Sequence, residues 1–192
     1  MINCSVFILI GGDSKRFGSM KYLAKVNREP IINLIIKACE NFKSYTLVGK
    51  NLPSELQDKS FIKDKHNIKA PIIGLQTALK YSSTKWILLL SSDLPLINKS
   101  VFTKMWRYRN YKKNIIIPVV NGTFQTTCAF YNTEIRHDCL NQINKKRLSL
   151  ISLVKRIGYY PIDFSNEPDS FLNVNTKKDL SVAKKILISK NN

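Results

Sequence analysis

Three short stretches of this chain carry residues whose types and spacing suit phosphate chemistry. The first reads Gly11-Gly12-Asp13-Ser14-Lys15-Arg16-Phe17-Gly18-Ser19-Met20-Lys21. Paired glycines let the backbone turn tightly and aim its N–H groups at an anion. Lys15, Arg16 and Lys21 add positive charge where phosphates would lie, and the Arg16 guanidinium can grip two oxygens at once. The stretch is not a Walker A loop, because the Gly-Lys-Ser/Thr ending is missing. It is not a Rossmann dinucleotide fingerprint either, because the glycine spacing is wrong. Read without a ligand, it is a basic surface turn.

The second stretch is Ser91-Ser92-Asp93-Leu94-Pro95. A carboxylate just past a buried strand can hold Mg²⁺ beside a triphosphate, since Mg²⁺ demands hard oxygen ligands. The same residues serve equally well as a turn or cap before Pro95. The third is Asn173-Val174-Asn175-Thr176-Lys177-Lys178-Asp179. Amides at i and i+2 of an extended segment point the same way, so Asn173 and Asn175 can face one ligand. Thr176 also suits a helix N-cap. No Ser/His/Asp arrangement is visible.

These residues need a scaffold, and the hydrophobic pattern supplies one. Residues 4–10 form a continuous β-rich apolar run, as expected of a strand buried on both faces, and they lead directly into the glycine loop. Apolar positions from Ile31 to Phe42, with Pro30 just ahead, predict a helix over 31–42. A second strand is predicted over 45–48. This β-loop-α-β order is the repeating unit of a parallel sheet with helices on its faces. Further along, the pattern predicts a short helix at 54–60, loop with one short strand at 61–70, a helix at 74–81 and a strand at 86–90. Asp93 follows that last strand directly. Ligands in open parallel sheets sit beyond the C-terminal strand ends, so the glycine loop and Asp93 are expected on one rim.

In the second half, a helix is expected over 100–111, and strands over 115–120 and 124–131 joined at Asn121-Gly122, a dipeptide that favours tight hairpins. Helices at 134–144 and 149–156, a strand at 159–162 and a closing helix at 177–188 complete the reading. The fold class is α/β, and residues 1–192 read as one domain.

Of the 192 residues, 31 are Lys or Arg and 13 are Asp or Glu, which gives a formal charge of +18. Such a balance favours anionic partners without choosing between nucleotides, acidic proteins and nucleic acid. The lysines are scattered rather than striped, and Trp86, Trp106 and the tyrosines read as core or helix-surface residues, which argues against nucleic acid. Cys4, Cys39, Cys128 and Cys139 form no CxxC, and two histidines are too few for a zinc cluster. Cys4 and Cys39 lie in apolar segments and read as buried thiols of a reducing compartment, the cytoplasm. No apolar run approaches the roughly 20 residues that cross a bilayer.

Taken together, the landmarks resemble the molybdenum cofactor guanylyltransferase family. The resemblance rests on Leu9-Ile10-Gly11-Gly12-Asp13-Ser14-Lys15-Arg16-Phe17-Gly18 with Lys21, on Pro71-Ile72-Ile73-Gly74-Leu75, on Asp93-Leu94-Pro95, and on Asn173 to Leu180. They occur in the family's order and span nearly the whole chain. The resemblance implies a Rossmann-like three-layer sandwich of the nucleotide-diphospho-sugar transferase type. It also implies transfer of GMP from GTP to molybdopterin, with release of pyrophosphate. Leu9, Gly11, Gly12, Ser14, Arg16 and Lys21 would hold the triphosphate, Gly74 would shape the nucleotide site, and Asp93 would bind Mg²⁺. Asn173 and Asn175 would lie toward the pterin, and acidic proteins that receive the cofactor are possible partners. The sequence departs from the family pattern in three places. Met20 stands where an acidic residue usually precedes the loop lysine, Ala70 replaces the glycine before Pro71, and residues 124–129 keep only a loose likeness. Met20 leaves Lys21 without a sequence-adjacent carboxylate; if bound triphosphate itself organises that lysine, the loss matters little once nucleotide is bound. Two other readings remain open: transfer from CTP or to another phosphorylated acceptor, and a non-catalytic cofactor-delivery protein.

Overall fold

The computed structural model describes residues 1–11, 17 and 20–189. The chain opens with β1 (Ile2–Leu9), then a two-residue hairpin of β2 (Lys25–Val26) and β3 (Glu29–Pro30). Next come α1 (Ile31–Ala38), β4 (Phe42–Gly49), β5 (Phe61–Lys63), α2 (Pro71–Tyr81) and β6 (Trp86–Ser91). The second half holds α3 (Lys99–Trp106), β7 (Ile115–Val120), β8 (Thr123–Phe124), β9 (Cys128–Asn132), α4 (Arg136–Asn144), α5 (Leu150–Ile157), β10 (Tyr160–Asp163) and α6 (Lys177–Ser189).

The central sheet runs β10-β7-β9-β6-β1-β4-β5, with β8 paired to β7. The β1–β4, β1–β6, β4–β5 and β7–β10 pairs are parallel, while β9 runs antiparallel to both β6 and β7. Both faces are covered, and the strand period of two shows it directly. Cys4, Val6 and Ile8 of β1 join Leu88 and Leu90 of β6 in one core, beneath Ile31, Ile32 and Ile35 of α1 and Val101 and Phe102 of α3. Phe7 of β1 and Ile87 and Leu89 of β6 turn to the other core, against Ile72 and Leu75 of α2, Cys139 of α4 and Leu153 of α5. This is a three-layer α/β sandwich with a mostly parallel sheet, the predicted class. It explains why the central strands read as unbroken apolar runs.

The helix expected over 54–60 is a single 3-10 turn at Ser54–Leu56, and α2 begins three residues early, at Pro71. Three further differences have a packing cause. The helix expected over 31–42 stops at Ala38, and Phe42 opens β4 instead. There its ring packs against Phe102 at 5.5 Å and Phe130 at 6.1 Å, so strand packing takes a residue that completes the helical stripe. The helix expected over 100–111 ends at Trp106; Tyr108 and Tyr111 turn back onto Tyr160 of β10, with centroids 4.9 and 4.5 Å away. The strand expected over 124–131 is broken at residues 125–127. Asn121 and Gly122 both take positive φ, the two-residue hairpin their types favour, and close β7 onto the short β8. After the break β9 pairs with β6, and the Ser91 N–H donates to the Thr127 carbonyl at 2.7 Å.

Gly49, at the end of β4, is required by close approach. A Cβ there would overlap the main-chain oxygen of Ile10, and Ile10 cannot retreat because its N–H is bonded to Val48 O at 2.8 Å. Gly49→Ala is expected to destabilise the protein by about 3 kcal/mol, the upper end of ordinary overpacking costs. Gly74→Ala serves as the contrast. Its Cβ would meet a terminal methyl of Leu9 at 2.5 Å, and a methyl can rotate away, so the loss should stay below about 1 kcal/mol. Urea unfolding of both variants checks this; equal losses would remove the distinction between backbone and side-chain overlap.

Candidate active site

The strand order creates a crevice at one end of the sheet. The chain leaves β1 toward β4 and β5, then returns to β6 on the other side of β1. Such a switch point, beyond the C-terminal strand ends, is where open α/β sheets take ligands. Leu9 pairs with Ser91, so Gly11 and Asp93 each lie two residues past the paired strand ends. Gly12, Ser14 and Arg16, with Asp13 and Lys15, lie outside the described residues. Phe17, in the middle of that loop, is buried in the core.

Asp93 is fixed by both its main chain and its side chain. Ser91 Oγ donates to Asp93 Oδ1 at 2.6 Å, and the Val174 N–H donates to the Asp93 carbonyl at 2.8 Å. Lys21 Nζ lies 3.7 Å from Asp93 Oδ2, an ion pair rather than a short hydrogen bond. The same ammonium donates to Asn175 Oδ1 at 2.7 Å. Residues 21, 93 and 175, one from each stretch that the sequence singled out, therefore meet at one point. The Lys21 and Asp93 side chains are 21% and 18% exposed, shielded enough to strengthen the pair yet open to a ligand. An ammonium has three donors, and the hydrogen bond to Asn175 engages one of them.

This geometry answers the question raised by Met20. Lys21 does not depend on bound triphosphate alone for its orientation, because Asp93, just past β6, supplies the carboxylate that the preceding residue lacks. Met20 is spent elsewhere: its Sδ accepts from the Tyr22 hydroxyl at 3.2 Å. Burial is the main reason the Tyr22 phenol titrates above its ordinary range, with the Glu55 charge adding to it.

Asn175 is itself held by the start of α6. Asp179 Oδ2 accepts from the Asn175 N–H at 2.9 Å and the Thr176 N–H at 2.8 Å, while Thr176 Oγ1 accepts from the Asp179 N–H at 3.2 Å. This is a reciprocal capping box with aspartate in the third helical position. The expected alternation is present, with Val174 fully buried between exposed Asn173 and Asn175. The two amides nevertheless do different work, since Asn173 Nδ2 donates to Phe171 O at 3.3 Å, within its own turn. Gly74 is buried in the first turns of α2 and lets the helix close on Leu9 at the end of β1, so it shapes the rim by packing.

The Asp179 carboxyl sits below its ordinary value of 3.8, chiefly through the Asn175 N–H; slight burial opposes this, and Thr176 and Lys178 lower it further. Asp179→Ala should cost about 1 kcal/mol through loss of the cap. A lowered native pKa means the charge-dependent part of that contribution is complete above the ordinary value and is lost as pH falls through the native one. Thermal melts should therefore show a gap between variant and parent near pH 7 that narrows as pH falls below the ordinary value of 3.8. A gap constant across that range would show that the carboxylate charge does not hold the cap.

Sequence reasoning passed over three residues of this rim. Ser91 reads as a turn former, and only the 2.6 Å contact reveals it as the anchor of Asp93. Asp179 reads as an ordinary first-turn acid. Asp64, just past β5, is buried; its Oδ2 lies 3.2 Å from Lys50 Nζ and its Oδ1 accepts from the His66 N–H at 3.0 Å. With the Asp64 N–H bonded to Gly49 O, this clasp fixes the loop beyond β4 and β5. Its one sequence signal is a lone carboxylate after a short edge strand.

A divalent metal fits the donor set in one form only. Among the described residues no three His, Cys, Asp or Glu side chains gather as a complete cage. A single rigid carboxylate on an open rim suits Mg²⁺, which keeps several waters and shares its remaining positions with substrate phosphates. Asp93, held by Ser91 and left partly exposed, is a carboxylate of that kind.

A family model described as the MobA-like NTP transferase domain matches residues 6–156. A relative from Aquifex aeolicus, named "Probable molybdenum cofactor guanylyltransferase", is 29% identical over 188 residues, covering 96% of this chain and 90% of its own. A relative of the same name from Natranaerobius thermophilus is 25% identical over 198 residues, covering 96% and 97%. The crystal structure of molybdopterin-guanine dinucleotide biosynthesis protein A from Archaeoglobus fulgidus superposes with a TM-score of 0.83 at 20% identity, over 96% of this chain and 99% of that one.

Proposed function

We propose that this chain, which belongs to the MobA-like NTP transferase family, transfers GMP from GTP to the terminal phosphate of molybdopterin. Family membership makes it a nucleotidyltransferase enzyme. The choice of GTP and pterin rests on the names its relatives carry. The observation that carries the reading is the convergence of Lys21, Asp93 and Asn175 at the switch point.

In the proposed reaction an anionic phosphate oxygen of the acceptor attacks the α-phosphorus of GTP. A new P–O bond forms as the bond from the α-phosphorus to the bridging oxygen breaks, and pyrophosphate leaves with that electron pair. The nucleophile is already ionised, so the chain needs no general base. Held by Asp93, Mg²⁺ would neutralise charge on the phosphate oxygens and the leaving group. Lys21 is placed to donate to a phosphate oxygen from an orientation set before substrate arrives, which lowers the cost of positioning. Leu9 and Gly11 bring the first strand to the triphosphate; Gly12, Ser14 and Arg16 would complete its cradle. Asn175 and Asn173 border the side left for the pterin. Residues 1–192 act as one nucleotidyltransferase domain in this reading. Four buried, unpaired cysteines support a reducing compartment such as the cytoplasm.

The test is direct. The protein is incubated with Mg²⁺, molybdopterin and each nucleoside triphosphate in turn, and the coupled product is identified by mass. The expected product is the guanine dinucleotide, dependent on Mg²⁺. Coupling from CTP alone would move the chain to a cytidylyl branch, and no coupling to the pterin from any nucleotide would overturn the acceptor.

A further inference from the structure

At the opposite end of the sheet from Asp93, a cleft of about 710 Å³ opens where β1, β6 and β7 begin. Lys85, Arg109, Lys112 and Lys113 line it against a single carboxylate, Glu134, and that carboxylate already lies 3.4 Å from the Lys85 ammonium. Arg109, Lys112 and Lys113 come together in the turn after α3. Lys112 and Lys113 lie too far past Trp106 to benefit from the C-terminal dipole of α3, which fades within a turn. Adjacent like charges repel, and the nucleotide rim, a sheet's length away, gains little from them across a Debye length of about 8 Å.

The cleft is also built rather than merely charged. Trp106 packs against Phe130 of the core at 5.3 Å, and Arg109 lies over the indole at 5.1 Å while Nη1 donates to Trp106 O at 3.1 Å. The guanidinium is thus held before any partner arrives, and a planar, stacked guanidinium is suited to a carboxylate. The Trp106 ring has one neighbour in Phe130 and another in Arg109, so it offers no open platform for a nucleobase. A second copy of this chain, itself at +18, would bring the wrong charge.

We propose that this cleft docks an acidic peptide segment of a partner protein, whose carboxylates pair with Arg109 and Lys112 beside the Trp106 wall. Because the cleft and the Asp93 rim lie at opposite ends of the parallel strands, the partner remains bound while nucleotide enters and leaves. Four of the 31 basic residues then have a role in recognition rather than in catalysis.

The chain has two tryptophans, and both Trp86 and Trp106 line the cleft, so intrinsic fluorescence reports on it directly. The probe is a tryptophan-free synthetic peptide alternating glutamate and leucine, titrated into the full chain with its glutamine counterpart as control. A saturable fluorescence change is expected with the glutamate peptide alone, weakening about tenfold as salt is raised to physiological levels. Lys112→Glu with Lys113→Glu, both exposed and checked for folding by circular dichroism, should abolish it and leave nucleotidyl transfer unchanged. Saturating GTP should not displace the peptide. The proposal fails if no saturable change occurs, if the glutamine peptide binds equally, or if the charge-reversed variant binds as well as the parent. Displacement by GTP, or tighter binding of a single-stranded oligonucleotide than of the peptide, overturns it as well.

Discussion

Replacing Asp93 by asparagine is expected to lower turnover by about 10²–10³-fold, the cost seen when a preorganised electrostatic stabiliser is removed. The substitution is close to isosteric. Asparagine can still accept from Ser91 Oγ through one oxygen, and the main-chain bond from Val174 is untouched. What disappears is the negative charge facing Lys21 and the hard ligand proposed for Mg²⁺. The lost ion pair is loose at 3.7 Å and partly exposed, so unfolding free energy should change by no more than about 1 kcal/mol. The expected signature is a folded protein with poor turnover and a raised Mg²⁺ requirement. Near-parental turnover with unchanged metal dependence would remove Asp93 from the chemistry and leave it the turn residue that its sequence context also allows.

Most of the architecture was legible because it depends on burial. Strands covered on both faces cannot alternate, and β1, β6 and β7 do not. Errors fell where a residue suits two elements and packing chooses. Phe42 completes a helical stripe, yet its ring is worth more against Phe102 and Phe130. Tyr108 and Tyr111 would extend α3, yet pack on Tyr160. Residues 125–127 interrupt a β-like run because the chain turns there, the Cys128 N–H donating back to the Gln125 carbonyl at 3.0 Å before β9 pairs with β6.

The site was legible in its members and not in its wiring. The types and spacing in each stretch identified Lys21, Asp93 and the asparagines as candidates. That Lys21 and Asn175, 154 residues apart, share a hydrogen bond follows only from the fold. Ser91 and Asp179 escaped notice for the same reason: each has an ordinary local explanation as a turn or first-turn residue, and each gains its second role from a neighbour brought by topology.

Lys21→Ala is the second large effect expected. Loss of a charge-assisted hydrogen bond from a partly desolvated site is worth roughly 1.5–3 kcal/mol, about one to two orders of magnitude in GTP affinity and transfer rate. Lys15→Ala should cost less, since Arg16, next in sequence, can share its field. The 2.7 Å contact with Asn175 adds a sharper test. If Asn175 acts by holding the lysine, Asn175→Ala should slow transfer several-fold in the parent and have little further effect once Lys21 is alanine, since only residues that act through one another show such coupling. Should Asn175 instead contact the acceptor, the two effects would add, and KM for the pterin would rise in the Asn175 variant alone. The resemblance places the asparagines beside the pterin, whereas the geometry places Asn175 on the lysine. Steady-state kinetics on the four proteins of that cycle separates these roles. Equal, small losses from Lys21→Ala and Lys15→Ala would discard both, leaving a loop that works through bulk charge and a lysine whose contacts serve the fold.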